Sequence, residues 1–327
     1  MTPQLVPAPL VRWLLPEVHL VAAGSTVTVR RWRSAAALTV AAALTLLVVA
    51  QTGGRLGWEV VGLAMVGLLV PWLTRRWWFW VATAATMLNG GLRWSVLSWD
   101  NHHWLELYWV LAWAVAMLAW RPRQVLASSA RRLVGLTFLL AAGWKLTPEF
   151  VTGRFFEAMF VADGRLAPLV EAAGWQEPST HEQFQDARNT HAPSRRPQPI
   201  DVPVSDQVRL AAQVVSAGAI LLEGAVAAAF LLPWRRLQRR FQGRSSWAAQ
   251  LVSRSHLAGD VVLPTFILVT YPLAPVSSFG HLLCAMGAAA SHLPVRGRLL
   301  VYGGCFAAVS WVGDRQWLFD LVERTLT

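Results

Sequence analysis

The sequence is poor in charge and in cysteine. Charged residues make up 14% of the 327 residues, against about 25% in soluble domains. The two cysteines, Cys284 and Cys305, both lie inside apolar runs, which excludes a secreted disulfide scaffold. Hydrophobic residues account for 55% of the chain and are concentrated in long runs. The composition therefore predicts a helical membrane protein and not a soluble globule.

Lysine is also nearly absent. Lys145 is the only lysine among 29 basic residues, and all the others are arginines. The net charge of +11 comes from arginine clusters between the apolar runs, as expected of a membrane topology signal. No nucleic-acid recognition module accompanies these clusters, so we expect no nucleic-acid partner.

The apolar runs predict the fold class, an all-α polytopic transmembrane helical bundle of about nine spans. The predicted spans are Ala35–Ala50, Trp58–Leu73, Trp77–Leu88, Trp104–Trp120, Leu133–Lys145, Leu210–Trp234, His256–Ala274, Phe279–Leu293 and Leu299–Val312. The third and fifth are short for a hydrocarbon core of about 30 Å. We expect the third to extend toward Trp94.

With nine spans, all the arginine clusters fall on one side of the membrane. Basic residues favour the cytoplasmic side, so the N-terminus is predicted inside and the C-terminus outside a bacterial plasma membrane. The clusters are Arg30, Arg31 and Arg33; Arg75 and Arg76; Arg121, Arg123, Arg131 and Arg132; Arg235, Arg236, Arg239, Arg240 and Arg244; and Arg296 and Arg298.

This topology divides the chain into five segments. One long external connection carries half of the 18 acidic residues, and its middle, Gln176–Gln207, is predicted to be a mobile loop. A small lid packed on the outer face is the alternative. The segments are 1–34, an amphipathic interfacial stretch; 35–145, spans one to five; 146–209, the external acidic loop; 210–313, spans six to nine; and 314–327, a short tail.

Lys145 is a candidate base at the outer end of the fifth span. Arginine keeps its proton in proteins, whereas a lysine buried away from water can lose it. A lone lysine in an apolar setting fits a general base or an amine nucleophile. For that role we expect no carboxylate in direct contact with it, and Glu149 and Glu157 directed toward the loop. The alternative is an interfacial anchor.

The segment Asp100-Asn101-His102-His103 opens the fourth span at the membrane depth predicted for Lys145. Histidine can carry protons or stabilise a developing oxyanion. The alternative is a polar helix start with Asp100 or Asn101 as the N-cap. No metal site is expected, because adjacent histidines point about 100° apart on a helix.

Other polar residues also lie within spans, where an ionisable group is costly. Glu223, in the sixth span, needs a partner and is predicted to be either part of a structural pair or a proton-handling group. His256 and Asp260 are four residues apart, and His281 and His292 are eleven apart. Each pair is expected to share a helix face, mostly for structural reasons.

Two motifs resemble a known family. Ser98-Trp99-Asp100-Asn101-His102-His103-Trp104-Leu105, followed by Ala142-Gly143-Trp144-Lys145-Leu146 and Gly153, resemble the membrane domain of vitamin K-dependent γ-glutamyl carboxylase. The wider group is the horizontally transferred transmembrane domain family, which has bacterial members. Trp144 stands where the carboxylase has a second lysine.

The resemblance implies roles for these residues. Lys145 would deprotonate a quinol of the vitamin K hydroquinone or menaquinol type, with His102 and Asn101 as further catalytic residues. Oxygen and carbon dioxide would be co-substrates, and a peptide or protein a further substrate. Cofactor-binding residues would be Trp99, Trp144, Glu223 and His256.

The leading hypothesis is therefore a carboxylase-like membrane enzyme that binds a lipid-soluble quinol near the outer face. We expect Lys145, Asn101 and His102 to converge on one pocket, with the Lys145 nitrogen and the His102 ring about 10 Å apart or less. The alternatives are a non-catalytic membrane subunit that binds a partner protein and a transporter. The sequence leaves the product open, whether a carboxylated peptide or an epoxide.

Overall fold

Helices are the only regular secondary structure in the part of the chain that the computed structural model describes. The described residues are 26–94, 99, 101–163, 166–175, 204–233, 257–271 and 278–313. The chain divides into two compact units. The first comprises Met1–Ser129 and Ala288–Leu300, and the second comprises Ala130–Gly287 and Val301–Thr327.

The long helices follow the predicted apolar runs, with short helices between them. In chain order they are α1 (Thr26–Leu56), α2 (Trp58–Leu69), α3 (Trp77–Trp94), α4 (Asn101–Leu118), α5 (Pro122–Trp144), α6 (Pro148–Val151), α7 (Arg154–Ala162), α8 (Ala167–Ala172), α9 (Asp206–Leu231), α10 (Ala258–Thr270), α11 (Phe279–Ala290), α12 (Val295–Arg298) and α13 (Gly304–Gly313).

Each predicted span overlaps one of these helices, so the all-helical prediction is confirmed for the described residues. Three helices among them are long and apolar enough to cross a membrane, namely α1 over Ala35–Gly53, α5 and α9. The apolar helices α2, α10 and α11 are shorter.

The largest boundary error concerns the fifth span. We predicted Leu133–Lys145, but α5 begins at Pro122, directly after the three-residue turn that follows α4. Proline is favoured in the first turn of a helix, where its missing N–H leaves no bond unmade. The polar first part of α5, which contains Arg123, Arg131 and Arg132, carries no apolar run, so hydropathy alone did not detect it. The predicted extension of the third span is confirmed, because α3 reaches Trp94.

The eighth span ends earlier than predicted, at Ala290 in place of Leu293. The guanidinium of Arg298 is buried and donates hydrogen bonds to the carbonyls of Ala288, Ser291 and Leu293, which caps this helix end. His292 lies beyond the helix, so the prediction that it shares a helix face with His281 is wrong.

The predicted external loop is partly helical. Its first half contains α6, α7 and α8, of which α6 and α7 pack against α9 in the second unit. The choice between a mobile loop and a small lid for Gln176–Gln207 stays a prediction. Most of the predicted mobile stretch, residues 176–203, lies outside the described residues, as do 1–25 of the N-terminal segment and the tail 314–327.

Tryptophans of α3 and α4 form the centre of the first unit. The rings of Trp80 and Trp113 stack with centroids 4.7 Å apart. The indole N–H groups of Trp109 and Trp113 both donate to the hydroxyl of Thr45 on α1, at 2.9 and 3.1 Å. Thr45 donates in turn to the Ala41 carbonyl at 2.7 Å. A buried hydroxyl with one donor and two acceptor positions is thereby fully used.

Candidate functional site

Lys145 and Glu223 form an ion pair inside the second unit. The Lys145 Nζ lies 2.7 Å from Glu223 Oε1 and 2.8 Å from Oε2. Lys145 follows the last residue of α5, and Glu223 lies within α9. Their side chains are only 16% and 10% exposed. The bidentate contact supplies Glu223 with the partner that the sequence required.

The prediction that no carboxylate contacts Lys145 is therefore wrong. We had considered only the nearby Glu149 and Glu157. Glu149 is exposed, and Glu157 lies 3.8 Å from the Nε of Arg209. The actual partner is 78 positions away along the chain, on α9, which packs against α6 and α7, the short helices that follow α5.

The ring of Phe150 packs beside the lysine. Its Nζ lies 5.4 Å from the ring centroid of Phe150, a distance typical of cation–π contacts. Phe150 is buried, and its carbonyl accepts a hydrogen bond from Ser216 of α9. Trp144, predicted to line the cofactor site, is largely exposed, with its ring 5.7 Å from that of Phe150.

Gly153 lies directly against the backbone of α9. Its φ is +84°, a left-handed conformation that favours glycine. A Cβ at this position would lie 2.9 Å from the backbone nitrogen of Gln213. The glycine of the second motif therefore permits the segment that follows Lys145 to approach α9, the helix that carries Glu223.

The first motif lies in the other unit, at the start of α4. Asn101 is exposed, His102 is half-buried and His103 is buried, and the two imidazole rings have centroids 4.2 Å apart. Asn101 is the first residue of α4 and therefore not its N-cap. Asp100 lies outside the described residues.

Trp99 packs beside these histidines. Its ring centroid lies 4.9 Å from that of Trp104 and 6.0 Å from that of His103. The ring also lies against Gly91, where any Cβ would overlap it. The Trp99 indole N–H is buried and has no hydrogen-bond partner among the described residues. An oxygen acceptor on a ligand would satisfy this donor.

The predicted convergence of the two motifs stays a prediction, because they belong to different units. Lys145 and Glu223 lie in the second unit, whereas Asn101, His102 and Trp99 lie in the first. Of the predicted cofactor-binding residues, the structure places Glu223 in direct contact with Lys145.

The remaining candidate residues occupy separate places. His256 lies outside the described residues. Asp260 of α10 is buried and accepts a hydrogen bond of 2.8 Å from the hydroxyl of Tyr302. Tyr302 lies in the π-helical turn Leu299–Gly303 that precedes α13. The Nε2 of His281 lies 2.9 Å from the Ser310 hydroxyl.

Glu106 is a buried carboxyl that the sequence analysis missed. It lies on α4 and is 1% exposed, and its Oε2 is 2.8 Å from the Thr52 hydroxyl on α1. A glutamate two residues into the predicted span Trp104–Trp120 was the available signal, since ionisable residues inside spans usually have a role. We had attended to the histidines one turn earlier.

Within the described residues, no group of three or more His, Cys, Asp or Glu side chains has a geometry that could hold a metal ion. No protein-family model, curated protein or solved structure matches this chain. The resemblance to the carboxylase family therefore rests on the two sequence motifs.

Proposed function

We propose that the protein is a membrane enzyme in which Lys145 acts as a general base on a lipid-soluble quinol. The observation that carries this proposal is the Lys145–Glu223 pair, in which the only lysine of the chain is mostly buried and held by both oxygens of one carboxylate. A fixed surface cation would need neither the burial nor the bidentate partner.

The pair explains how a lysine beside a carboxylate can still act as a base. Two buried charges are costly to desolvate, whereas a neutral amine hydrogen-bonded to a neutral carboxylic acid avoids much of that cost. The single proton between Nζ and the carboxylate can lie on either partner. When it lies on Glu223, the acid O–H donates to the single lone pair of Lys145, so this O–H has to turn away before the lone pair can accept a hydroxyl proton from a bound ligand.

The side chains near Lys145 are aromatic, which suits contact with the ring of a quinol. The face of the Phe150 ring lies beside the amine, and the Trp144 ring lies edge-on to that of Phe150. When bound, the cofactor would supply the chemistry with oxygen and carbon dioxide that the family resemblance implies. His102 and Asn101 would then orient the ligand, and a peptide or protein would be the further substrate.

The expected result is that Lys145→Arg lowers the rate of quinol-dependent oxygen uptake by about 10²–10⁴-fold, the usual contribution of a general base. Arginine retains the charge and most of the length but does not give up its proton. The measurement is oxygen consumption by the purified protein supplied with a menaquinol. Arg209→Lys is the matched control, because Arg209 is half exposed and pairs with Asp206 at the surface.

Undiminished uptake in Lys145→Arg would contradict the proposal. It would favour the alternative of a non-catalytic membrane subunit, in which the Lys145–Glu223 pair has a structural role and the bundle binds a partner protein.

We further propose nine spans in a bacterial plasma membrane, with the N-terminus inside and the site facing outside. The support is a helix over each predicted span and the one-sided arginine clusters. A cysteine in place of Ser194 is expected to react with a membrane-impermeant maleimide on intact cells. A cysteine in place of Gln238 is expected to react only after lysis.

Both cysteine variants are made in a protein whose buried cysteines, Cys284 and Cys305, are replaced by alanine. Only the introduced cysteine can then react with the label. Labelling of Gln238→Cys on intact cells, with Ser194→Cys protected, would reverse the orientation.

A further inference from the structure

Glu106 and Thr52 form a buried polar contact in the first unit that the proposed function does not use. Glu106 is 1% exposed and Thr52 is 3% exposed. The Thr52 hydroxyl oxygen lies 2.8 Å from Glu106 Oε2 and 3.2 Å from the Val48 carbonyl oxygen. The other carboxyl oxygen, Oε1, is buried and has no hydrogen-bond partner among the described residues.

Counting protons decides which form of the carboxyl fits. The Thr52 hydroxyl has one proton, but two acceptors lie within hydrogen-bonding distance of its oxygen. If Glu106 is a carboxylic acid, it donates to Thr52 and the Thr52 proton goes to Val48, so both contacts are hydrogen bonds. If Glu106 is ionised, Thr52 donates to only one of them and the Val48 contact has no proton.

The burial and the local charges favour the same form. An unpaired oxygen in an apolar interior is much less costly on a neutral acid than on a carboxylate. Among the described side chains, no cation contacts Glu106. Arg93 pairs with Glu59, and Arg298 donates to backbone carbonyls. His102 and His103 are the ionisable groups one turn earlier on α4.

We propose that Glu106 is a reversible proton-binding site in the interior of the first unit. The bound form is a carboxylic acid that donates to Thr52. On release the O–H bond breaks, the proton passes to water, and a carboxylate remains. The Thr52 hydroxyl then turns its proton from Val48 to Glu106 Oε2, since both acceptors are already in reach. One hydroxyl thus serves both states without movement of the backbone.

Infrared difference spectroscopy on the full-length protein in lipid tests this site directly. At neutral pH we expect a carbonyl band of a protonated carboxylic acid that is lost in Glu106→Gln and kept in Glu59→Gln, an exposed glutamate of the same unit. Thr52→Val is expected to move this band to higher frequency, because the acid loses its acceptor. Thr52→Ser is expected to leave the band in place.

Reversibility is tested by transfer to deuterated water. The band is expected to shift to lower frequency while most backbone amides still retain their protons, since helix amides exchange only on local opening. Absence of an acid band assigned to Glu106 would show an ionised carboxylate and overturn the proposal. A band that shifts only as the amides exchange would overturn it too, because Glu106 would then be a closed structural acid. Neither outcome depends on whether Lys145 is a base.

Discussion

Removing one member of the Lys145–Glu223 pair is expected to destabilise the protein by about 3–5 kcal/mol, because the remaining ionisable group stays buried without its hydrogen-bond partner. We expect this loss in Lys145→Met and in Glu223→Leu. The double variant is expected to recover most of the loss, since two apolar side chains of similar size replace the whole pair. The measurement is the free energy of unfolding in mixed micelles, arranged as a double-mutant cycle.

The exposed pair Arg93–Glu59 provides a matched control in the other unit. Its side chains are 61% and 59% exposed, with an N–O distance of 3.2 Å. Water screens such an exposed pair, so Glu59→Gln is expected to leave the stability nearly unchanged. If Glu223→Leu destabilised the protein no more than Glu59→Gln does, the buried Lys145–Glu223 contact would be contradicted.

Thr45→Val is expected to destabilise the protein by about 2–6 kcal/mol. Valine has nearly the shape of threonine, so the packing around it is retained. The substitution removes the acceptor shared by the Trp109 and Trp113 indole N–H groups. Each buried donor left without a partner costs about 1–3 kcal/mol. Unfolding in the same mixed micelles measures the loss, and Thr45→Ser is expected to restore most of it.

Thr83→Val isolates the contribution of the shared acceptor. Thr83 is as completely buried as Thr45, and it too donates to the carbonyl four residues earlier, at 2.9 Å from Phe79. No indole donates to it among the contacts described. We expect its loss to cost about 1 kcal/mol or less. Equal losses in the two valine variants would mean that the tryptophan donors find other partners.

The helical fold and the positions of the apolar helices could be predicted from the sequence, because both follow from local composition. An apolar run of about 16 residues has few structures open to it other than a helix. Helix ends were predicted less well. The start of α5 at Pro122 and the end of α11 at Ala290 depend on a turn and on the distant Arg298 guanidinium, neither of which changes local hydropathy.

The candidate site was predicted residue by residue but not pair by pair. Lys145 stood out because it is the only lysine, and Glu223 because a carboxylate within a span needs a partner. That each is the partner of the other could not be read from the sequence, since helix packing imposes no fixed spacing along the chain. We had expected Lys145 to be free of carboxylates because a neighbouring carboxylate favours the charged amine over the neutral one that a base requires.

By itself, the sequence determined that this chain is helical and apolar, and which ionisable groups lie within its apolar runs. Only the tertiary structure decided how those groups are used: Glu223 is bound by Lys145, Asp260 by Tyr302, and Glu106 by Thr52. The physical reason is that the cost of burying a charge is a property of one residue and its surroundings. The hydrogen bonds that offset this cost require two helices to meet at a particular register.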